Sequence, residues 1–279
     1  MFSTVEQRLP NPIEHADIER LKELAGAGGW VTDPDDMGAC LTEWRGLYTG
    51  STPLMLVPDS TARVAAIVGY CAERRIGIVP QGGNTGLVGG GIPGLDGTAR
   101  EVLLLMRRLN RIHDVDAHNL AMTVGAGCIL SDLRQAADDA NCLFPLSLAA
   151  EGSCQIGGNL ATNAGGTNVL HYGNARDLVL GLEVVLPDGR IYENLRGLRK
   201  DNTGYALQHL FIGAEGTLGV ITAATLKLFP VPRSSATAWL AVASAEAAVE
   251  LLQFARGRIG DELVGFELIP RIAVDMVVG

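Results

Sequence analysis

The 279-residue sequence lacks the features of disulfide-stabilised, zinc-binding and membrane-spanning proteins. Its five cysteines are odd in number and none has the Cys-x-x-Cys spacing, which argues against a disulfide framework and a zinc site. No apolar run approaches the roughly 18 residues of a membrane span. Residues 1–21 lack the basic segment and apolar run of a secretory signal. The sequence therefore predicts a soluble protein of a reducing compartment, which we expect to be cytoplasmic.

Positive charge is also scarce. The formal net charge is −9 and the isoelectric point is near 5.0, so no basic stripe exists to bind nucleic acid. Hydrophobic residues make up 47% of the chain, which supports a sizeable core. At about 150 residues per domain, the length predicts roughly two domains. The 35 glycines cluster in a few stretches, which indicates loops lined by backbone.

Hydrophobic periodicity predicts a series of helices and strands up to residue 230. The predicted helices span residues 14–30, 60–75 and 131–141, and the predicted strands include 53–58, 76–80, 100–106 and a hairpin within 177–194. Residues 53–80 form a β-α-β pattern whose second strand leads directly into a glycine-rich stretch. The carboxyl ends of such strands are where open sheets usually bind ligands.

Three glycine-rich stretches occur at residues 80–91, 152–166 and 213–219, and they carry almost no charge. Glycine lets backbone N–H groups approach a ligand closely, and consecutive amides form a concavity that binds anions. Any one stretch alone is equally compatible with a tight turn. Three together favour a long ligand that carries phosphates and is held by backbone.

Two common nucleotide motifs do not fit these stretches. A Walker A loop is excluded because the sequence contains no Gly-Lys pair. A dinucleotide fingerprint needs G-x-G-x-x-G at the start of a helix, whereas Gly83, Gly86 and Gly89 have a different spacing and lead to Pro93-Gly94. A nicotinamide-dependent enzyme is therefore the weakest of the interpretations.

The stretches PQGGNTGLVGG, GSCQIGGNLATNAGG, RKDNTGY and LFIGAEGTLGVIT occur in this order and closely resemble the FAD-linked oxidase family. That family shares the vanillyl-alcohol-oxidase, or PCMH-type, FAD-binding domain. Within it, the sequence is most similar to the D-2-hydroxyacid dehydrogenases, which act on D-2-hydroxyglutarate or D-lactate. The similarity extends from about Trp44 to the end of the chain.

The resemblance implies an α+β fold. A PCMH-type FAD-binding domain has two α/β subdomains, one with a small mixed sheet and one with a larger, mostly antiparallel sheet with helices. We expect this domain at residues 44–230, after an N-terminal helical segment at 1–43. Residues 237–279 read as strand, helix, strand and helix, which would be the incomplete start of a ferredoxin-like substrate (cap) domain.

The resemblance also implies which residues bind FAD. The first loop would wrap the pyrophosphate, the second stretch would line the flavin and ribityl side, and the third would close the adenine–ribose end or hold the loop. These cofactor-binding residues are Pro80, Gly82, Gly83, Asn84, Thr85 and Gly86 in the first stretch, Gly152, Ser153, Gly157, Gly158, Asn159, Thr162 and Asn163 in the second, and Glu215, Gly216, Gly219 and Ile221 in the third.

Asn84 predicts how the cofactor is attached. Several relatives bond FAD covalently through a histidine directly after the glycine pair, and this sequence has asparagine there. An amide has no nucleophilic nitrogen at neutral pH, so we expect non-covalent FAD. The cluster at His113, Asp114, Asp116 and His118 reads as a polar turn between strands, and we expect no metal site.

The resemblance implies oxidation of a D-2-hydroxy acid to the 2-oxo acid by hydride transfer to FAD. In the similar dehydrogenases, histidines and an acid in the C-terminal half supply the base and a metal. Here no histidine follows His209, so the catalytic residues stay unknown. We expect the 279 residues to bind FAD but to turn over substrate poorly alone. The alternative is a non-catalytic FAD-binding module or subunit that needs a partner chain, or a homo-oligomer, to supply the missing domain. The electron acceptor stays unknown.

Overall fold

Two main β-sheets, a two-stranded β-ribbon and the helices form the fold of the protein, seen in a computed structural model that describes residues 12–95, 97 and 100–278. The helices are α1 (His15–Ala25), α2 (Pro34–Leu41), α3 (Thr61–Arg74), α4 (Leu130–Asp139), α5 (Ile156–Ala161), α6 (Val169–Tyr172), α7 (Gln208–Phe211), α8 (Ala245–Ile259) and α9 (Arg271–Val278). The strands are β1 (Trp30–Val31), β2 (Met55–Leu56), β3 (Gly77–Gln81), β4 (Glu101–Leu105), β5 (Ile112–Asp116), β6 (Ala121–Gly125), β7 (Cys142–Leu143), β8 (Val179–Val185), β9 (Ile191–Asn194), β10 (Val220–Lys227) and β11 (Phe229–Pro230).

The smaller sheet has four strands in the order β1-β2-β4-β3. Strands β2, β4 and β3 are parallel, and β1 is antiparallel to β2. Helix α3 connects β2 to β3, and it buries the stripe of Val64, Ile67, Val68 and Cys71 at helical spacing. The first glycine-rich loop starts where β3 ends, at the carboxyl edge of the parallel strands.

The larger sheet has five antiparallel strands in the order β5-β6-β10-β8-β9. Its central strand β10 is buried at every position from residue 220 to residue 226. Strands β8 and β9 form the hairpin expected from the Asp188-Gly189 turn, where Gly189 has a φ of 83°. A small mixed sheet beside a larger antiparallel one confirms the predicted fold class.

Several predicted helix boundaries differ from the structure, by one to five residues. Helix α1 ends at Ala25, five residues before the predicted end, because Gly26 has a φ of 77° and its N–H caps the last turn. Helix α4 begins at Leu130, and Ser131, the predicted N-cap, lies inside it. Both predicted helices form, and backbone geometry at their ends sets the limits.

The two strands expected after residue 236 do not form. Residues 237–243 and 263–270 have no strand pairing, although α8 and α9 form beside them. Alternating apolar residues permit a strand, but a strand needs a hydrogen-bonded neighbour to be stable. Trp239 and Phe254 in this region are 81% and 61% exposed. Among the described residues, no helix is both long and apolar enough to cross a membrane.

A buried carboxylate fixes α1 against α3. Asp17 is 1% exposed and accepts hydrogen bonds from Tyr70 Oη and Arg74 Nε, each at 2.8 Å. Burial raises the pKa of Asp17, but the hydrogen bonds from Tyr70 and Arg74 outweigh this effect and hold the pKa below its usual value. A lowered folded-state pKa stabilises the fold above the unfolded pKa, and this stability is lost as the pH falls through the folded value.

We expect Tyr70→Phe to lower the free energy of unfolding by about 1.5–3 kcal/mol at pH 7, because it removes a hydrogen bond to a buried charge. The difference from the wild type should narrow below about pH 4, where Asp17 becomes protonated in the unfolded chain. Urea unfolding at pH 7 and pH 3 measures both values. An equal loss at the two pH values would contradict a role for the Asp17 charge. Tyr205→Phe, at a 91% exposed tyrosine, is the control.

Candidate cofactor-binding site

The three glycine-rich stretches meet at one place between the two sheets. A Cβ on Gly83 would lie 2.1 Å from the Ser153 carbonyl oxygen, so the first stretch touches the backbone of the second. A Cβ on Gly216 would lie 2.5 Å from Pro80 Cγ, which joins the third stretch to the first. The Glu215 N–H donates to the Ala161 carbonyl at 2.9 Å, which joins the third stretch to the end of α5.

A cavity of about 420 Å³ lies where the stretches meet, within the range of small-molecule and cofactor sites. Most of the predicted FAD-binding residues line it: Pro80, Gly82, Gly83, Asn84, Thr85, Gly86, Gly157, Gly158, Asn159, Thr162, Glu215, Gly216, Gly219 and Ile221. Among the residues that the structure describes, the lining contains no lysine, arginine or histidine. Whatever anion it holds must therefore be bound by backbone amides and neutral side chains.

Three predicted residues do not line the cavity. Gly152 and Ser153 are exposed, and Ser153 contributes its carbonyl to the contact with Gly83. The Asn163 side chain faces the other way, because its Oδ1 accepts a hydrogen bond from the Arg176 N–H at 2.9 Å. These residues support the walls of the cavity without facing it.

Asn84 has two structural roles, one through its backbone conformation and one through the hydrogen bonds of its side chain. Its backbone is left-handed, with a φ of 51°, a conformation that asparagine tolerates better than most residues. Its Nδ2 donates to the Ala39 and Thr42 carbonyls at 3.1 and 2.9 Å. The side chain thus ties the first loop to the end of α2.

Glu215 also has a left-handed backbone, with a φ of 51°. Its carboxylate lies against Gly90 and forms no hydrogen bond or ion pair with any described residue. The carboxylate is instead an acceptor that faces the cavity.

Sequence reasoning missed Glu43, which lines the cavity although its side chain is almost fully buried. Its two carboxylate oxygens accept from the Leu47 and Arg45 N–H groups at 2.7 and 2.8 Å. Burial raises the pKa of Glu43, but these amide bonds outweigh it and lower the pKa below its usual value. Glu43 therefore stays ionised and shapes the turn at 43–48.

Cys154, another lining residue that sequence reasoning missed, is not a nucleophile. It is buried, and burial raises its pKa above the usual thiol value, so the thiol stays neutral near pH 7. No group of three or more histidine, cysteine or acidic side chains that could hold a metal occurs in the described part of the chain. His113 and Asp114 lie on β5, and His118 lies in the turn before β6.

Three buried amide oxygens test whether the cavity suits FAD. Gln81 Oε1, Gln155 Oε1 and Asn159 Oδ1 have no hydrogen-bond partner in the described part of the chain, and all three residues line the cavity. A buried acceptor without a partner is costly, and hydroxyl and N–H groups of FAD are suitable donors. A Cβ on Gly86 or Gly158 would meet no atom within 4 Å, so backbone there is open to a ligand. The residues present fit FAD.

Comparison with known proteins identifies the family. A model described as "FAD binding domain" matches residues 52–194. That segment contains the first two glycine-rich stretches and the strands that carry them. The chain belongs to the FAD-binding domain family, and FAD is its cofactor.

Two relatives extend the match beyond that segment. The "Probable D-2-hydroxyglutarate dehydrogenase, mitochondrial" of Oryza sativa subsp. indica is 42% identical over 260 residues, covering 93% of this chain and 46% of the relative. The "D-2-hydroxyglutarate dehydrogenase, mitochondrial" of Danio rerio is 40% identical over 276 residues, covering 99% and 51%. The chain thus spans about half the length of these relatives. The matches confirm the resemblance to the D-2-hydroxyacid dehydrogenase branch.

A solved structure confirms the fold. Alkyldihydroxyacetonephosphate synthase superimposes with a TM-score of 0.70 at 23% identity, covering 81% of this chain and 42% of that one. At this identity the similarity concerns the arrangement of the two sheets.

The expectation of a cytoplasmic protein is wrong, because both relatives are named as mitochondrial. The prediction rested on unpaired cysteines and on the absence of a secretory signal. Both features are equally compatible with a reducing compartment bounded by a membrane, so they do not separate the cytoplasm from other such compartments.

Proposed function

We propose that this chain holds FAD non-covalently in the cavity between the two sheets and forms the cofactor-binding part of a D-2-hydroxyacid dehydrogenase. The observation that carries the proposal is the meeting of three glycine-rich stretches around buried, unpartnered amide oxygens. The names of the two relatives favour D-2-hydroxyglutarate as the substrate. D-Lactate remains the other substrate class.

The residues of the chain bind and orient the cofactor. Backbone amides of the first loop would bind the diphosphate, since no lysine or arginine occurs in the described lining. The amide oxygens of Gln155 and Asn159 would accept hydrogen bonds from neutral parts of FAD, and the Glu215 carboxylate would suit a ribose hydroxyl. When bound, FAD supplies the acceptor for the hydride from the substrate Cα. We propose residues 44–230 as the domain that does this work.

The cavity offers little for the substrate itself. A 2-hydroxy acid needs a cation for its carboxylate and a base for its hydroxyl proton. The described lining contains no lysine, arginine or histidine, Glu43 is fully engaged by backbone amides, and Cys154 is neutral. We infer that these groups lie outside the 279 residues, in the part of the relatives that this chain does not match.

We expect the purified 279-residue chain, loaded with FAD, to oxidise D-2-hydroxyglutarate at less than about 0.01 s⁻¹ in a dye-reduction assay. Typical enzymes reach roughly 1–10³ s⁻¹, and this chain lacks a described cation or base at the cavity. Photoreduction of the bound flavin is the control that it is redox-active. Dye reduction above about 1 s⁻¹ that is specific for the D-enantiomer would contradict the inference.

A second candidate is a flavin-binding subunit that acts with a separate chain. The apolar exposure of residues 237–278 favours it, since Trp239 and Leu240 are 81% and 63% exposed and large exposed patches often mark interfaces. Both candidates share the FAD site. Sequencing the message beyond codon 279 separates them, because an in-frame continuation supports one longer polypeptide and a stop codon supports a separate partner.

A further inference from the structure

Gln81 holds two distant parts of the site with one side chain. It lies at the end of β3 and is 5% exposed. Its Nε2 donates to the Cys40 carbonyl at 2.8 Å and to the Gly91 carbonyl at 2.7 Å. The first carbonyl belongs to the last turn of α2 and the second to the far end of the glycine loop. Because both protons of the amide are used, the orientation of the carboxamide is fixed.

The end of α2 depends on the loop in return. The last four carbonyls of a helix have no partner within the helix. Here Cys40 is satisfied by Gln81, Ala39 by Asn84 and Leu41 by the Gly50 N–H at 2.9 Å. Helix α2 and the first glycine-rich loop therefore form one hydrogen-bonded unit, which we call the α2–loop unit (residues 34–50 and 81–91).

The remaining polar atom of the Gln81 carboxamide, Oε1, has no hydrogen-bond partner among the described residues. Oε1 is buried and unpaired, and Gln81 is a lining residue. An unpaired buried acceptor lowers the stability of the folded chain, and a donor on a bound ligand would recover this loss. FAD carries such donors in its hydroxyl groups, its flavin ring N–H and its adenine amino group.

We propose that Gln81 is a positioning residue that couples FAD binding to the ordering of α2. It accepts a hydrogen bond from an O–H or N–H group of FAD while both its own protons hold the α2–loop unit together. The proposal rests on the proposed placement of FAD in this cavity. It assigns to segment 34–50, which comes before the matched family segment, a role in retaining the cofactor.

The test uses the full chain and two measurements, the FAD dissociation constant and the hydrogen exchange of residues 34–50 with and without FAD. Gln81→Leu removes the donors and the acceptor. Gln135→Leu is the matched control, since Gln135 lies on α4, is exposed and bonds only Asp139. In the wild type and the control, FAD should slow exchange at 34–50. In Gln81→Leu, the dissociation constant should rise at least tenfold and this slowing should disappear.

Gln81→Glu separates positioning from simple space filling. This variant keeps one acceptor oxygen but has a second oxygen in place of the Nε2 group that donates to the Cys40 and Gly91 carbonyls. A carboxylate that faces two carbonyl oxygens is disfavoured relative to its protonated form. FAD should therefore bind this variant more tightly as the pH falls from 8 to 5, while the wild type stays nearly flat. Glu43 and Glu215 are present in both proteins, so the wild-type profile accounts for their titration.

The outcomes separate this proposal from the function on which it rests. A wild type that binds no FAD overturns the placement of FAD and the coupling with it. A wild type that binds FAD with no change in exchange at 34–50, or a Gln81→Leu variant with wild-type affinity, overturns the coupling alone. Should Gln81→Leu fail to fold, a Gln81→Glu variant with wild-type affinity and no pH dependence would overturn it as well.

Discussion

Replacing Gly83 with alanine is expected to abolish FAD binding and to lower the free energy of unfolding by about 1–3 kcal/mol, the usual cost of overpacking. The added Cβ would lie 2.1 Å from the Ser153 carbonyl oxygen and 3.0 Å from Cys154 Cα. Both atoms are backbone, so no side chain can rotate away. The first two glycine-rich stretches would have to separate at the wall of the cavity.

Thermal or urea unfolding of the FAD-free chain, together with FAD titration, measures both effects. Gly152→Ala is the matched control, because a Cβ at Gly152 would meet no atom within 4 Å and the residue does not line the cavity. If Gly83→Ala kept wild-type stability and affinity, the contact between the two stretches would not define the site.

Gly158→Ala is expected to change stability and affinity in opposite directions. Gly158 lies inside α5, and its Cβ would meet no atom within 4 Å. Alanine should stabilise the FAD-free chain by up to about 1 kcal/mol, because glycine is a poor helix former. The methyl group would project into the cavity, so FAD affinity should fall at least tenfold, or about 1.4 kcal/mol.

Gly257→Ala is the control for the second prediction. Gly257 lies inside α8, its Cβ would also meet no atom within 4 Å, and it is not a lining residue. Gly257→Ala should also stabilise the FAD-free chain, but it should leave the FAD affinity unchanged. A Gly158→Ala variant with unchanged FAD affinity would show that the ligand does not approach α5, and the placement of the cofactor would need revision.

The glycine-rich stretches illustrate what the sequence could predict. Their composition indicated backbone-lined loops, and the resemblance supplied their common purpose, so Gly83, Gly158 and Gly216 were all expected at the site. The loops meet because strand and helix ends bring them together, as β3, α5 and β10 do. The glycine-rich motifs in the local sequence were therefore sufficient to predict which stretches lie at the site.

The amide contacts of Gln81 and Asn84 illustrate what the sequence could not predict. Each side chain donates to a carbonyl of α2, Cys40 or Ala39, more than 40 residues earlier in the chain. Main-chain carbonyls exist at every residue, so no residue type marks the ones that will be used. Only the packing of α2 against the loop decides which carbonyls accept these hydrogen bonds. The asparagine at position 84 led to the prediction that FAD is held non-covalently. The sequence did not predict the hydrogen bonds of the Asn84 side chain.

The segments at 237–243 and 263–270 illustrate a different limit. Their apolar alternation is typical of strands, and both were predicted as such. A strand, unlike a helix, satisfies its backbone groups through a neighbour, and neither segment has one among the described residues. Helices α8 and α9 formed as expected because their hydrogen bonds are local.

The central claim is that this chain alone binds one FAD, held by backbone amides and neutral side chains and not by a covalent bond. The direct test is to add FAD to the purified 279-residue chain, remove the excess, record the visible spectrum and then precipitate the protein with acid. We predict flavin absorbance for about one FAD per chain before precipitation, with all the yellow colour in the supernatant afterwards. A colourless protein, or colour that stays in the precipitate, would contradict the claim.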